Sequence, residues 1–393
     1  MSPNGALHSR PARFSGSCID MTRHRPRTFA IAVALAAAAP ASAQSRASAP
    51  TSPTLDIYVT DTEGGKATLF VSPSGETVLV DMGNPGERDL GRITNVLAAA
   101  GVKRIDYLVS THYHRDHIGG LTALAQHIPI GHYMDHGANV EVPEQVTGFR
   151  TAYDSIIAAG AKHTVLKAGD RVPVKGLDWR IVIAAAKPIA TPLAGAGAAN
   201  AACSSFERKP DAPKPDDNSQ SVGSVITYGR FRALDLGDLL WNNERDLVCP
   251  RNLLGTVDLY LVTHHGLDRS GAPVLVHTVR PRVAVMSNGT RKGGAVATFQ
   301  TLHTSPGLED IWSTHWSYWG ALEHNPPAAF IANVDSAAQI AAVLTSASTG
   351  QAAGDGDSEH SPAYYIKISA RADGSFRVMN TRNGFAKEYR MRG

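Results

Sequence analysis

The sequence predicts a layered α/β domain, and three observations support this. Short apolar runs rich in β-branched residues alternate with segments of helical spacing from residue 55 onward. The chain has 393 residues, 43% of them hydrophobic and 19% charged, which is enough for a sizeable buried core. Several ionisable side chains follow apolar runs directly, which places them on loops at strand ends. We therefore predict one main domain, residues 55–393.

The N-terminal segment has the features of a secretory signal peptide. It combines a basic start at Met21, an apolar stretch over 29–39 and small residues at 41–43. We predict residues 1–43 as this signal peptide with extra N-terminal residues, cleaved after Ala43. Residues 44–54, rich in Ser, Ala and Pro, are predicted to be a flexible linker. The mature chain is then expected to be secreted or periplasmic, without a membrane span.

Net charge bears on the class of partner. The whole chain carries +3, but residues 1–43 hold five arginines and one aspartate, which leaves 33 basic and 34 acidic residues. Proteins that grip nucleic acid over a long site usually have a basic surplus. The net charge therefore gives no support to non-specific nucleic-acid binding. A local basic groove is still compatible with this net charge.

The first half of the domain reads as strands, a helix and a further strand. We predict strands at "LDIYVT", "ATLFVS" and "TVLVDMG", a helix at "DLGRITNVLAAAG" and a strand at "RIDYLVSTH". Residues 138–160 are predicted to be helical, followed by strands within "TVLKAGDRVPV" and "LDWRIVIAAA". The low-complexity segment 187–217 is predicted to be a long surface loop.

The second half repeats the alternation. Strands are predicted in "SVGSVITYG", "FRALDLGDL", "VDLYLVTHHG" and "PRVAVMSNG", with a helix over about 241–254. A second low-complexity loop spans 345–362, and "AYYIKISARADGSFRVMNT" is predicted to form a closing β-hairpin.

The stretch "THYHRDHIGG" carries the strongest chemical signal. Burying three histidines and an aspartate is unfavourable without a partner, and a metal ion suits this composition. His112 and His114 are two apart on an extended backbone and point the same way, and the following turn brings Asp116 and His117 inward. One loop can thus supply two adjacent metal sites, for zinc, manganese or iron rather than calcium or magnesium. The alternative is a solvated turn that is rich in histidine.

Further ligand candidates follow two later strands. Asp238 comes after a strand in "LDLGDL", and His264 and His265 come after another in "VTHHGL". An aspartate in such a place can instead cap a helix, and a histidine pair can be structural. We expect these side chains to reach the same sheet edge as the first motif.

These motifs together resemble the metallo-β-lactamase superfamily, whose HxHxDH signature matches His112, His114, Asp116 and His117. Within it, the chain is most similar to the hydrolase domain of ComEC-type DNA-internalisation proteins. The segments "VLVDMG", "HIGGL", "DDNSQSVGSVITYGRFRALDLGDL" and "HHG" support this likeness, which covers about residues 55–335.

The resemblance implies an αββα sandwich with two divalent metal ions at one edge of the paired sheets. His112 and His114 would bind one ion, at what we call the first site. Asp116, His117 and His264 would bind the other, at the second site, and Asp238 would bridge them. His264 is preferred over His265 as the ligand, and Asp81 would support the histidine-bearing loop.

One departure concerns the first site. Many superfamily enzymes have a further histidine there, whereas this chain has "DDNSQS". Asn218, Ser219 or Ser221 could approach that ion instead. His132, His136 and His163 are other candidates, or they are ordinary loop residues.

The implied activity is hydrolysis by a hydroxide held between two cations. Asp116 could orient this hydroxide, and His265 could donate a proton or hydrogen bond to the transition state. We predict a secreted, metal-dependent hydrolase of a phosphodiester or related phosphate ester, a small-molecule substrate included. The alternatives are a lactone, thioester or β-lactam hydrolase, a nucleic-acid-binding protein, and a non-catalytic metal-binding protein of the same fold.

Three other features are left with two interpretations each. Cys203 and Cys249 could form a disulfide or be unrelated thiols. Arg291 and Lys292 could contact an anionic substrate or form a solvated turn. An aromatic group could line a substrate cleft or pack in the core; its members are Trp312, Trp316, Tyr318 and Trp319.

Overall fold

The apolar runs form two mixed β-sheets that pack face to face. The computed structural model describes residues 53–141, 148–210, 213–320, 323–335 and 363–392. These fall in one compact unit, Thr51–Gly393. The predicted signal peptide (1–43), nearly all of the predicted linker (44–54) and the predicted loop 345–362 lie outside them.

Among the described residues there are eighteen strands, most of them short. In chain order they are β1 (Leu55–Val59), β2 (Thr68–Val71), β3 (Thr77–Val80), β4 (Tyr107–Val109), β5 (Tyr133–Asp135), β6 (His163–Val165), β7 (Arg171–Val172), β8 (Asp178–Ala184), β9 (Lys187–Pro188), β10 (Gly223–Tyr228), β11 (Phe231–Asp235), β12 (Leu259–Leu261), β13 (Val283–Met286), β14 (Asp310–His315), β15 (Ile331–Asn333), β16 (Ile366–Ala370), β17 (Phe376–Asn380) and β18 (Ala386–Tyr389).

Each sheet has an antiparallel part and a parallel part. The first has the order β18-β17-β16-β1-β2-β3-β4-β5-β6 and is parallel from β3 to β6. The second has the order β15-β14-β13-β12-β11-β10-β8-β7, with β9 beside β8, and is parallel from β11 to β15. The predicted C-terminal hairpin corresponds to β16 and β17, but a third strand, β18, extends it. Because β16 pairs with β1, the end of the chain completes the first sheet.

Seven α-helices lie among the described residues, and they cover the outer faces of the sheets. They are α1 (Glu87–Ala99), α2 (Arg115–Ile118), α3 (Leu121–His127), α4 (Gly148–Ala158), α5 (Trp241–Asp246), α6 (Pro273–Val279) and α7 (Val296–His303). The predicted helix 241–254 was too long, since α5 ends at Asp246 and Pro250, shortly beyond it, cannot continue a helix. In the predicted helix 138–160, helical structure is described only for α4.

Three clusters of buried hydrophobic residues lie between the layers of the fold. The central cluster holds residues of both sheets, among them Ile57, Phe70 and Trp179. A second cluster lies between the second sheet and α5–α7, and a third between the first sheet and α1–α4. This four-layer arrangement confirms the predicted α/β class and αββα sandwich.

The segment 187–217 is more ordered than a plain surface loop. It contains β9 and a 3-10 helix, Ala201–Ser205, and a disulfide joins Cys203 to Cys249 across it. Leu193 and Phe206 pack against the outer core of the second sheet. No helix in the described part of the chain is long and apolar enough to cross a membrane.

Candidate metal centre

Loops that follow five neighbouring strands meet at one edge of the sandwich. Asp81 follows β3, and residues 111–117 follow β4 and lead into α2. In the second sheet, Asp238 follows β11, His264 and His265 follow β12, and Ser287 follows β13. The carboxyl ends of adjacent parallel strands lie at the same sheet edge, so side chains far apart in sequence converge there.

Asp81 fixes the histidine-bearing loop. Its Oδ1 accepts the backbone N–H of Thr111 at 2.7 Å, and its Oδ2 lies 2.8 Å from Nδ1 of His117. Asp81 adopts φ 60°, which aspartate tolerates better than most residues. Gly120 lets the two loops approach, because a Cβ there would lie 2.2 Å from the carbonyl oxygen of Met82.

Four side chains converge beside this loop: Asp116, His117, Asp238 and His265. One ligand atom from each lies within 4.8 Å of all the others. Nε2 of His117 is 3.2 Å from Nε2 of His265, and each is 3.2 Å from Oδ2 of Asp238. Oδ2 of Asp116 lies 3.4 Å from His117 and 3.3 Å from His265.

In His117 and His265, the hydrogen bond made by Nδ1 turns Nε2 toward the cluster. His117 donates from Nδ1 to Asp81, and His265 donates from Nδ1 to the carbonyl oxygen of Ser287 at 3.0 Å. In the neutral rings, both Nε2 lone pairs therefore point at each other and at two carboxylates. A cation relieves this repulsion, and outer hydrogen bonds of this kind are typical of metal-bound histidines.

Buried charge supports the same interpretation. Asp238 is 3% exposed, and its Oδ1 is buried without a hydrogen-bond partner among the described residues. Burial alone would raise the pKa of Asp238, but His117, His265 and His264 hold it well below its usual range. Burial would lower the pKa of His117, but Asp238, Asp116 and Asp81 hold it well above its usual range. The residues present therefore fit a divalent cation.

His112 and His114 form a second pair of facing nitrogens. Nε2 of His112 lies 3.1 Å from Nδ1 of His114, and burial lowers the pKa of His112 well below its usual range. The other nitrogen of His114, Nε2, lies 2.7 Å from Oε1 of Glu141. Glu141 therefore orients His114 much as Asp81 orients His117.

His264 lies next to the convergent group rather than within it. Its Nε2 is 3.5 Å from Oδ2 of Asp238, and its Nδ1 is 3.0 Å from Oγ of Ser270. Burial lowers the pKa of His264 to about 4, so the ring is neutral. The structure thus brings His265, rather than the expected His264, together with Asp116, His117 and Asp238.

The other histidine candidates bind partners elsewhere. Nε2 of His132 lies 2.9 Å from Thr164, that of His136 lies 3.1 Å from Asp217, and that of His163 lies 2.8 Å from Asp135.

In "DDNSQS", three side chains are buried, those of Asp217, Asn218 and Ser221. Asn218 has a buried Oδ1 without a hydrogen-bond partner among the described residues, and Oγ of Ser221 accepts the backbone N–H of Asp238 at 3.2 Å. Ser219 donates to the carbonyl oxygen of Asp216 at 2.8 Å.

Lys292 reaches the cluster from the loop after β13. Its ammonium contacts Oδ2 of Asp116, and the two residues are 176 positions apart. Burial would raise the pKa of Asp116, but Lys292 and His117 hold it well below its usual range.

The aromatic group divides between core and surface. Trp312 is fully buried and donates from Nε1 to the hydroxyl of Tyr389 at 3.0 Å, so it is a core residue. Trp316 packs edge-on against Tyr318, and Trp319 is 52% exposed.

Sequence reasoning missed two features of the site. Glu141 carries no motif that would have indicated it. A buried ion network also lies nearby, in which Asp61 is 2.8 Å from Arg92 and 2.5 Å from Nε2 of His315. His315 is a polar residue at the end of the buried strand β14, and its partners are remote in sequence.

Comparisons with known proteins assign the chain to a family. The family model of the metallo-beta-lactamase superfamily matches residues 61–287. The fold and site define a metal-dependent hydrolase, and the chain belongs to the metallo-β-lactamase superfamily. It is 27% identical to competence protein ComA of Neisseria gonorrhoeae over 240 residues, which are 60% of this chain and 28% of that protein. It is 23% identical to ComE operon protein 3 of Bacillus subtilis (strain 168) over 196 residues, 49% of this chain and 21% of that protein.

These two relatives confirm the predicted likeness to the ComEC-type branch. The match spans only about a quarter of the length of either relative. Among solved structures, a metallo hydrolase from the hyperthermophilic archaeon Ignicoccus hospitalis KIN4/I is 15% identical with a TM-score of 0.39, covering 66% of this chain and 94% of the other.

Proposed function

We propose that this protein hydrolyses a phosphodiester or a related phosphate ester, using two divalent metal ions. The observation that carries the proposal is the convergence of two carboxylates and two imidazoles within 4.8 Å, beside the facing pair His112 and His114. The likeness to the ComEC-type branch favours a phosphate ester over a lactone, thioester or β-lactam.

We assign the metal ligands as follows. His112 and His114 would hold the first ion, and Asp116, His117 and His265 would hold the second. Asp238 would bind both, since its Oδ2 faces the second group and its Oδ1 has no hydrogen-bond partner among the described residues. His265 thus takes the ligand role expected of His264. Zinc suits this set of imidazole and carboxylate ligands, and manganese and iron are alternatives.

When bound, such a pair of ions supplies Lewis acidity and a nucleophile at neutral pH. The side chains then have separate tasks. Asp116, whose pKa Lys292 and His117 hold well below its usual range against burial, stays ionised, as a metal ligand must. Lys292, next to Asp116, places a positive charge where a phosphate ester would carry its negative charge. His264, neutral and donating from Nδ1 to Ser270, has an acceptor nitrogen, Nε2, beside Asp238 that can accept a hydrogen bond from the reacting group.

We also propose that the protein acts outside the cytoplasm, secreted or periplasmic. The support is the signal-like pattern of residues 21–43 and the disulfide between Cys203 and Cys249, because disulfides persist in oxidising compartments.

The test is hydrolysis of bis(4-nitrophenyl) phosphate by the purified protein loaded with zinc or manganese. We expect activity that a chelator abolishes and that Asp116→Asn lowers by at least about 100-fold. The matched control is Asp154→Asn, on the exposed face of α4. Metal-loaded protein that cleaves a lactone or a β-lactam but not the phosphodiester would overturn the proposal.

A further inference from the structure

We infer that a basic cleft beside the metal centre binds additional phosphate groups of the substrate. This inference rests on the proposed phosphate-ester hydrolysis and narrows the substrate class to small esters that carry at least one phosphate besides the one attacked. The cleft has a volume of about 550 Å³, which is the size of small-molecule sites.

Cationic side chains outnumber acidic ones among the described residues that line the cleft. Its cationic side chains are those of Arg208, Lys209, Lys214 and Arg269. Its acidic side chains are Asp216, paired with Arg269, and Asp246, which lies 3.1 Å from Arg245 outside the lining. Among the described lining residues, both aspartates thus have an arginine partner, whereas Lys209 and Lys214 have no carboxylate partner, in a chain whose residues 44–393 carry a net charge of about −1.

The lining contains two lysines, Lys209 and Lys214. In the described part of the chain, neither Lys209 nor Lys214 has a carboxylate within 4.0 Å. The ammonium of Lys209 instead donates to the carbonyl oxygen of Asp268 and lies 3.9 Å from the ring centroid of Trp241. A cation that is held in place by uncharged partners keeps its capacity to attract an anion.

The position of Lys209 is fixed before a ligand arrives. The backbone of Lys209 exchanges two hydrogen bonds with the side chain of Asn242, at 3.2 and 2.9 Å. Nε1 of Trp241 donates to the carbonyl oxygen of Glu207 at 3.0 Å. The segment 207–209 is therefore attached to α5, and binding there requires little ordering.

The cleft opens on the metal centre. Asp216 lines it, and a carboxylate oxygen of Asp216 lies within 4.8 Å of ligand atoms of both His114 and Glu141. Two other residues that line the cleft are close in sequence to the metal centre. Leu240 follows Asp238 by two positions, and Arg269 precedes Ser270, the partner of His264. An ester with its reacting phosphate at His114 can thus extend its other phosphates into the cleft.

The binding test uses the full chain freed of metal by a chelator and titrated calorimetrically with inorganic tripolyphosphate. We expect the double variant Lys209→Gln/Lys214→Gln to bind about ten-fold more weakly, since two charge-assisted contacts are lost. The matched control is Lys103→Gln/Lys162→Gln, which removes two exposed lysines elsewhere. Equal affinities in the wild type and the cleft variant would overturn the inference, whatever the hydrolytic activity.

A kinetic test uses the zinc-loaded protein and two 4-nitrophenyl nucleoside 5′-phosphates, with and without a 3′-phosphate. The cleft variant should raise KM about ten-fold for the ester with the second phosphate and leave kcat/KM of the other unchanged. If neither ester is cleaved but tripolyphosphate binding falls in the cleft variant, the cleft stands and the proposed hydrolysis fails. A single-stranded oligonucleotide that binds the cleft far more tightly than tripolyphosphate would overturn the assignment to a small molecule.

Discussion

Asp81 and His117 form a fully buried pair, in which Oδ2 of Asp81 lies 2.8 Å from Nδ1 of His117. Because this contact keeps a proton on Nδ1, the neutral ring presents the lone pair of Nε2 to Asp116, Asp238 and His265. Asp81, which would not bind the metal itself, thus orients His117, which would bind it.

Asp81→Asn tests this relationship with little change in shape. Asparagine also tolerates the positive φ at this position, so the fold should persist. The neutral amide is a weaker acceptor, and we expect metal affinity to fall roughly 10- to 100-fold. Zinc competition with a chromogenic chelator measures this. Unchanged affinity would contradict the role of Asp81, and Asp154→Asn serves as the control.

His265→Ala and His264→Ala distinguish the two adjacent histidines. We expect His265→Ala to retain one ion fewer per chain, because Nε2 of His265 is 3.3 Å from Asp116 and 3.2 Å from Asp238. His264→Ala should keep the full metal content and lose activity. Metal analysis of the purified variants decides between them, and the opposite pattern would restore His264 as the ligand.

Glu244 should make stability depend on pH. Burial raises its pKa to about 7, even though it accepts the backbone N–H groups of Gly271 and Ala272. Between about pH 4.5 and 7 the folded state holds a proton that the unfolded state releases. The free energy of unfolding should therefore fall as the pH rises through this window, by about 3 kcal/mol.

Glu244→Gln removes this titration. The variant can accept only one of the two backbone N–H groups, so it should be less stable than the wild type at pH 5. That difference should shrink or reverse by pH 8. Urea unfolding of metal-free protein from pH 5 to 8 measures both, with the exposed Glu207→Gln as the control. Parallel pH profiles for wild type and Glu244→Gln would refute the prediction.

The disulfide should contribute to stability through the unfolded state. Cys203 and Cys249 are 46 positions apart, and their bond closes a long loop. We expect Cys203→Ser/Cys249→Ser to lower the free energy of unfolding by about 2–4 kcal/mol. Urea unfolding checks this, and reductant should shift the wild type but not the double variant. A wild type insensitive to reductant would count against the bond.

Several strands and the first metal motif could be predicted from sequence because their signals are local. The spacing of His112, His114, Asp116 and His117 after β4 lies within six residues, and the periodicity of β1, β3 and β11 is visible in a few residues more. The register of the C-terminal strands was harder to predict from the sequence. That β16 would pair with β1 depends on contacts about 300 positions apart.

The sequence by itself determined the α/β class, since this depends on short-range patterns of apolar residues. Its local motifs also determined the resemblance to the superfamily, and that resemblance implied the sandwich. Tertiary structure decided which histidine of the pair faces the cluster. His264 and His265 have φ of 55° and 56°, so the alternation of strand β12 does not continue through them and cannot give their directions. It likewise decided that Glu141 orients His114 and that Lys292 contacts Asp116, because only the packing of separate loops at one sheet edge brings these residues together.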